Sequence, residues 1–167
     1  YQLTNYNKIL VQRNNLLKQI RFQNNLIETL EAWDIQLVKY GSEVIKYREK
    51  FIKHLGEVCQ KIHNKLTGGK EKILLEYDRD VGYDSYLTEL AKKRQKDLKY
   101  STTTVGPHRD DISFIVNGID IRKYGSQGQQ RTAALSLKLA QIQLMREVMK
   151  ESPILLLDDV LSELDSN

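Results

Sequence analysis

Two short stretches carry the residue types that hold anions and cations. The first, Tyr124-Gly125-Ser126-Gln127-Gly128-Gln129-Gln130-Arg131, is a glycine-punctuated polar loop that runs into an apolar helical pattern. The first amide N–H groups of a helix lack partners and sit at its positive dipole end, so an anion is favoured there. Gly125 and Gly128 let backbone approach such a ligand, and the Ser126 hydroxyl has a proton to donate. An ordinary helix start with Ser126 as its cap accounts for the same residues. The second stretch is Ile154-Leu155-Leu156-Leu157-Asp158-Asp159. Two carboxylates ending a buried strand cost desolvation and mutual repulsion unless a cation compensates them. A strand-end aspartate holding Mg²⁺ beside a nucleotide, with its neighbour polarising a water, satisfies both; two solvent-facing acids opening a loop do so as well.

Long helices must position these stretches, because only two prolines and nine glycines interrupt 167 residues. With 40% hydrophobic and 29% charged residues, the chain is foldable rather than disordered. It has no run of about 18 apolar residues of the kind that crosses a membrane. The single cysteine, Cys59, excludes an internal disulfide, and no Cys/His spacing points to zinc, which fits a reducing, cytoplasmic setting. The chain starts at Tyr1 without a methionine and stops just after an apolar run, as a piece of a longer protein would. The net charge of +4 is uneven. Residues 1–100 hold 19 basic against 13 acidic side chains, and residues 101–167 hold 7 against 9. The basic half is suited to a polyanion, although a pI near 9.0 is common among soluble domains.

Leu3, Tyr6, Leu10, Leu17, Ile20 and Ile27 fall at three- and four-residue steps, with Arg13 and Asn24 between them, and predict one helix to about residue 30. Leu37, Val44, Phe51, Leu55, Val58, Ile62 and Leu66 predict a second from about residue 32, stopped by Thr67-Gly68-Gly69. A turn or kink is expected at Trp33-Asp34 or at Tyr40-Gly41-Ser42. An antiparallel hairpin would bury one seam on the other; a piece of helical bundle core does the same. His54 and His63, within the second helix, read as surface residues. Residues 73–78 form a short strand, and Asp84 or Ser85 caps a helix running to about Tyr100. That helix bears Lys92, Lys93, Arg94, Lys96 and Lys99. They are spread around more than one face, which suits a solvated surface at least as well as DNA contact. Ile112, Phe114 and Val116 alternate, Asn117-Gly118 marks a hairpin turn, and Ile119-Asp120-Ile121 follows. From Gln129 to about Lys150 a helix is apolar on most faces and is expected to be buried. Pro153-Ile154-Leu155-Leu156-Leu157 then reads as a strand covered on both sides.

Taken together, the Ser-x-Gly-Gln loop, the apolar strand ending in Asp-Asp about 20 residues on, and Ser162-Glu163-Leu164-Asp165 resemble the signature motif, Walker B strand and D-loop of ABC-type ATPases. The wording Gly106-Pro107-His108-Arg109-Asp110-Asp111, then Gly125-Ser126-Gln127-Gly128-Gln129-Gln130-Arg131-Thr132, then Leu155-Leu156-Leu157-Asp158-Asp159-Val160-Leu161-Ser162-Glu163-Leu164-Asp165 resembles the RecF family, and Tyr6-Asn7-Lys8 through Gln12-Arg13-Asn14 resembles the start of its helical arm. The fold this implies is α+β, mostly α. A helical arm over residues 1–100 (an antiparallel helix pair, a short strand and a basic helix) would join residues 101–167 as part of an ABC-type ATPase head.

The resemblance implies an SMC-like ATPase that dimerises on ATP, binds double-stranded DNA and ss/dsDNA junctions, and works with RecO and RecR to load RecA at gaps, with links to replication maintenance and SOS induction. In that family the signature loop of one subunit caps the γ-phosphate held by the other. Carried over, Ser126 and Gly128 would touch ATP in trans, with Gln127 and Gln129 shaping the loop. Asp158 would support Mg²⁺, and Asp159 would stand at the catalytic-base position that is glutamate in most ABC proteins. Ser162, Glu163, Leu164 and Asp165 would lie at the dimer interface, and Lys92, Lys93, Arg94 and Lys96 are candidate DNA contacts. No G-x-x-x-x-G-K-[ST] loop occurs, and Gly68-Gly69-Lys70 lacks both its spacing and its hydroxyl residue. Asp159, one methylene shorter than that glutamate, fits the slow ATP turnover expected of the parent, and without the loop this piece alone is expected neither to bind ATP tightly nor to turn it over. Residues 106–111 are a strong tag of the family, but their role does not follow from physics. A metal site at His108, Asp110 and Asp111 is conceivable; an Arg109–carboxylate turn is the simpler reading. Another SMC-like or ABC-type head, or a structural coiled-coil interaction module, stand as the alternatives.

Overall fold

A computed structural model describes residues 1–149. The described chain is mostly helical with one small sheet: α1 (Gln2–Ile20), a 3₁₀ turn (Asn24–Thr29), α2 (Leu30–Leu66), β1 (Ile73–Asp78), α3 (Tyr86–Tyr100), a 3₁₀ turn (Pro107–Arg109), β2 (Asp111–Val116), β3 (Ile119–Asp120), α4 (Ile121–Tyr124) and α5 (Gln127–Met149). The sheet order is β1-β2-β3, with β2 and β3 antiparallel and Val116 opposite Ile119. The described chain divides into two compact units, residues 1–53 with 75–113, and residues 54–74 with 114–149. No helix among the described residues is long and apolar enough to cross a membrane.

In the first unit α1 and the start of α2 run antiparallel. Arg13 meets Asp34, and Tyr6 packs where a Cβ on Gly41 would fall, two pairings of one register. Tyr6, Leu37, Val44, Ile45, Val81, Tyr86, Leu90 and Val105 form the main apolar core. A second cluster, Leu16, Leu17, Ile20 and Leu30, closes the turn, with Leu26, Trp33 and Leu98 packed on it. That cluster corrects the expected first helix: α1 ends at Ile20 rather than near residue 30. The break is made by packing Leu26 and Leu30 back onto the last turn of α1, so no glycine or proline is needed. With the reversal there, α2 runs unbroken through Trp33-Asp34 and Tyr40-Gly41-Ser42, where a kink was expected.

The seam on α2 also differs. Leu37, Val44, Leu55 and Val58 are buried as expected, but Phe51 and Leu66 are 54% and 46% exposed, and Ile45, Ile52, Cys59 and His63 are buried beside the seam. The buried positions together advance at close to 3.6 residues per turn, the period of a straight helix. A fixed seven-residue repeat drifts about 20° per heptad relative to it.

In the second unit, Asn117 and Gly118 both take positive φ (49° and 83°), as the expected Asn-Gly turn requires. The Asn117 amide and carboxamide pin the turn, its N donating to Lys72 O at 3.0 Å and its Oδ1 accepting from Lys72 N at 2.9 Å. The strand pattern expected through Ile121 stops at Asp120, whose side chain caps α4 by accepting from Arg122 N. α5 buries Ala133, Leu135, Ser136, Ala140 and Leu144, but leaves Met145, Val148 and Met149 exposed. It is therefore covered along one stripe by the described residues, not on all faces as expected.

Candidate phosphate-binding loop at the start of α5

α4 leads into the loop with no spare room. A Cβ on Gly125 would lie 2.7 Å from both the Cβ and the carbonyl oxygen of Ile121, so glycine is required there by packing. Ser126 then caps α5 in a reciprocal arrangement. Its Oγ accepts from Gln129 N at 3.2 Å, and Gln129 Oε1 accepts from Ser126 N at 3.1 Å. Gln130 secures the same turn by donating its side-chain amide to Ile121 O at 2.8 Å and its backbone N–H to Ser126 O at 3.0 Å.

A firmly capped loop is thereby left open on its outer side. Ser126, Gln127 and Gly128 are exposed. A Cβ on Gly128 would meet only Ser126 Oγ, at 3.9 Å, so nothing inside the chain demands glycine at that position. Ser126 Oγ accepts within the cap, which leaves its proton to donate outward. The amides of Gln127 and Gly128 precede the first intrahelical bond. These donors, at the N-terminus of a 23-residue helix with no acid in its first turn, fit a phosphate.

A cleft opens beside the loop, lined by Leu66, Thr67, Gly68, Lys70, Glu71, Ser126, Gly128, Gln129 and Thr132. Its floor holds residues that sequence reasoning missed. Gln129 Nε2 donates to Glu71 Oε1 at 2.9 Å, and Glu71 Oε2 lies 3.2 Å from His63 Nε2. His63 Nδ1 is 3.0 Å from Ser136 Oγ, and the imidazole is fully buried. This corrects the surface placement of His63, whose face of α2 is decided by Ser136 and Glu71. Neither partner lies at a spacing that periodicity reveals. His54 is exposed, as expected.

Residues 106–111 form a structural knot. Asp110 accepts from Tyr77 Oη, from Arg48 Nη1 at 3.2 Å and from Asp80 N at 2.9 Å, while Arg48 also donates to Pro107 O. The arginine paired with this carboxylate is thus Arg48 of α2, not Arg109 as expected. An arginine projecting from α2 already reaches the turn. His108 accepts from Tyr6 Oη at its Nδ1 (2.6 Å) and donates from Nε2 to Thr103 O (3.1 Å), and burial holds its pKa below the usual imidazole value. No group of three or more His, Cys, Asp or Glu side chains suited to a metal occurs among the described residues.

Of the basic residues on α3, Arg94 donates to Asp34 at 2.9 Å and Lys92 pairs with Glu89 at 2.7 Å. Lys93 and Lys96 are exposed. The Pro153–Leu157 run, Asp158, Asp159, Ser162, Glu163, Leu164 and Asp165 lie outside the described residues.

No protein-family model matches the chain. It is 56% identical over 165 residues to the DNA replication and repair protein RecF of Agathobacter rectalis, covering 99% of this chain and 46% of that protein. With the RecF of Lachnoclostridium phytofermentans it shares 55% identity over 165 residues, again 99% and 46%. With that of Acetivibrio thermocellus it shares 44% over 175 residues, 99% and 47%. The chain thus spans about half the length of these relatives. A solved structure of the recombination mediator protein RecF-ATP in the RecFOR pathway superposes with a TM-score of 0.91 at 39% identity, over 99% of this chain and 46% of that one. A second, of RecF-ATPrS in the same pathway, gives 0.88 at 39% identity over 98% and 46%.

Proposed function

The chain is a stretch of RecF-family sequence, and from that premise we propose that it supplies the helical arm (residues 1–100) and the signature-bearing part of the head (residues 101–167) of an ATP-gated DNA repair ATPase. The observation that carries this reading is the open side of the α5 loop. Ser126 is rigidly capped with its proton free to donate, and Gly128 has no internal reason to be glycine.

ATP, held by the other subunit of a homodimer, supplies the γ-phosphate. Ser126 and the backbone N–H groups of Gln127 and Gly128 donate to it at the positive end of α5, and Gln129 keeps the loop in shape. Asp158 supports Mg²⁺, Asp159 orients the attacking water, and Ser162, Glu163, Leu164 and Asp165 meet the partner subunit. Closing two heads gathers basic surface around duplex DNA, with Lys92, Lys93 and Lys96 the exposed candidates on α3 beside half-buried Arg94, and hydrolysis reopens it. Within this reading the complete protein is cytoplasmic. It acts with RecO and RecR in the RecFOR pathway, promotes RecA loading at ss/dsDNA junctions, and so touches replication and the SOS response.

The test is duplex-DNA affinity across a salt series, with and without ATP, for a complete RecF protein carrying this segment and for the segment alone. ATP-stimulated, salt-sensitive binding by the complete protein only is the expected result, because phosphate contacts release counterions. Equal, ATP-indifferent binding by both would assign DNA contact to the basic arm and leave the loop another purpose.

A further inference from the structure

Gln129 has both ends of its carboxamide committed. Oε1 accepts from Ser126 N inside the cap, and Nε2 donates to Glu71 Oε1 outside it. The side chain thus transmits the position of Glu71 to Ser126. Glu71 is itself held, because its second oxygen faces His63 Nε2 at 3.2 Å with only 20% of the side chain exposed. His63 is anchored in turn. Its Nε2, facing a carboxylate that can only accept, donates to Glu71 Oε2, while its Nδ1 lies 3.0 Å from Ser136 Oγ, which is itself 2.7 Å from Thr132 O. The chain of bonds from Ser126 through Gln129, Glu71, His63 and Ser136 returns to α5 about two turns beyond Gln129.

The backbone on either side of Glu71 is already tied, by Gly69 N to Asn64 O and Lys70 N to Thr67 O before it and by Asn117 to Lys72 after it. Gly68 and Gly69, both at positive φ, meet open space where a side chain would be, so the carboxylate is directed by its bonds to Gln129 and His63 rather than by packing of the loop. A carboxylate lining a phosphate cleft would also repel the ligand. Here both of its oxygens face hydrogen-bonding partners, Gln129 and His63, rather than the cleft.

We propose that Glu71, held by buried His63, is a positioning residue that fixes Gln129 and thereby sets the direction of the Ser126 hydroxyl. This rests on the reading of Ser126 as a trans phosphate contact. It adds that the competence of the signature loop is governed from the end of α2, more than fifty residues earlier in the chain.

The experiment measures ATP-dependent dimerisation by sedimentation velocity in a complete RecF protein carrying this segment, together with each monomer's own ATP affinity. Glu71→Ala is expected to weaken dimerisation at least tenfold and to leave monomer ATP affinity within twofold. Glu71→Gln keeps an acceptor for Gln129, and its amide donates to His63 Nε2 once the ring proton sits on Nδ1 toward Ser136 Oγ, so it restores dimerisation to within about threefold. Gln129→Ala, on the exposed side of the link and harmless to the core, should match Glu71→Ala, and the double variant should be no worse than either single one. Normal dimerisation by Glu71→Ala or Gln129→Ala, failure of glutamine to rescue, or additive losses would overturn the proposal. Ser126→Arg separates the two levels: if it too dimerises normally the trans reading falls, and if it alone fails then only the role of Glu71 is wrong.

Discussion

Arg13 of α1 and Asp34 of α2 meet at 2.7 Å with the guanidinium fully buried. The same arginine donates from Nη1 to Asp97 Oδ2 and to Thr103 Oγ1, both at 2.8 Å, so one cation ties α1, α2, α3 and the segment after α3. Asp34 also accepts from Arg94, and Asn14 Oδ1 accepts from both the N–H and the hydroxyl of Thr103. Removing one member strands opposite charges in the interior. Arg13→Met is therefore expected to cost about 3–5 kcal/mol, read by urea unfolding with the single tryptophan, Trp33, as probe. A cost below about 1 kcal/mol would mean that the cluster is solvated.

Acid should loosen the knot at residues 106–111. Burial depresses the pKa of His108, whose Nδ1 accepts from Tyr6 Oη, so the folded state prefers the neutral ring and the unfolded state binds the extra proton. The stability this contributes is present above the ordinary imidazole value near 6.5 and is lost as pH falls through the lower folded value. His108→Asn, which titrates nowhere in this range, should flatten that part of the stability profile between pH 7 and 5. An unchanged slope would assign the acid sensitivity elsewhere.

Two glycines should respond oppositely to the same change. Gly106 sits at φ +134°, and a Cβ there would fall 2.2 Å from Tyr86 Oη, so Gly106→Ala should cost about 2–5 kcal/mol. Gly128→Ala meets open space in a helical turn and should be neutral or stabilising by up to about 1 kcal/mol. It should nonetheless reduce ATP-dependent association at least tenfold, because the added methyl stands where the phosphate would approach. Thermal unfolding beside sedimentation measures both, and a Gly128→Ala protein that unfolds early would remove the contrast.

Cys59 is fully buried, and burial pushes its thiol up to about 11. At pH 8 a disulfide reagent should therefore react with the folded chain at least a hundredfold more slowly than with the urea-unfolded chain. Comparable rates would mean that α2 opens locally around this residue.

Much of this was legible where local chemistry decides the outcome. β1 spans the six residues read as a short strand, Asn117-Gly118 turns with two positive φ values, and Thr67-Gly68-Gly69 ends α2 at Leu66. Ser126 as a cap and the loop before α5 were readable for the same reason. Features decided by distant partners were hidden. The end of α1 depends on Leu26 and Leu30 folding back, and nothing in Arg21-Phe22-Gln23 is a breaker. The burial of His63 depends on Ser136, 73 residues away, and the role of Glu71 depends on Gln129, 58 residues away. Asp110 could be read as a carboxylate wanting an arginine, but the choice of Arg48 over its neighbour Arg109 belongs to the tertiary structure.

The central claim is that Ser126 acts on ATP held by another subunit, and mixing two defective proteins tests it most directly. One complete protein carries Ser126→Arg; the other is intact at Ser126 but carries Asp158→Asn, which removes the carboxylate proposed to support Mg²⁺ beside its own ATP. Neither alone should dimerise with ATP, while an equimolar mixture should form one composite site and recover an ATP-dependent dimer in the sedimentation profile. ATP-dependent dimerisation by the Ser126→Arg protein alone, or no recovery on mixing, would contradict the account.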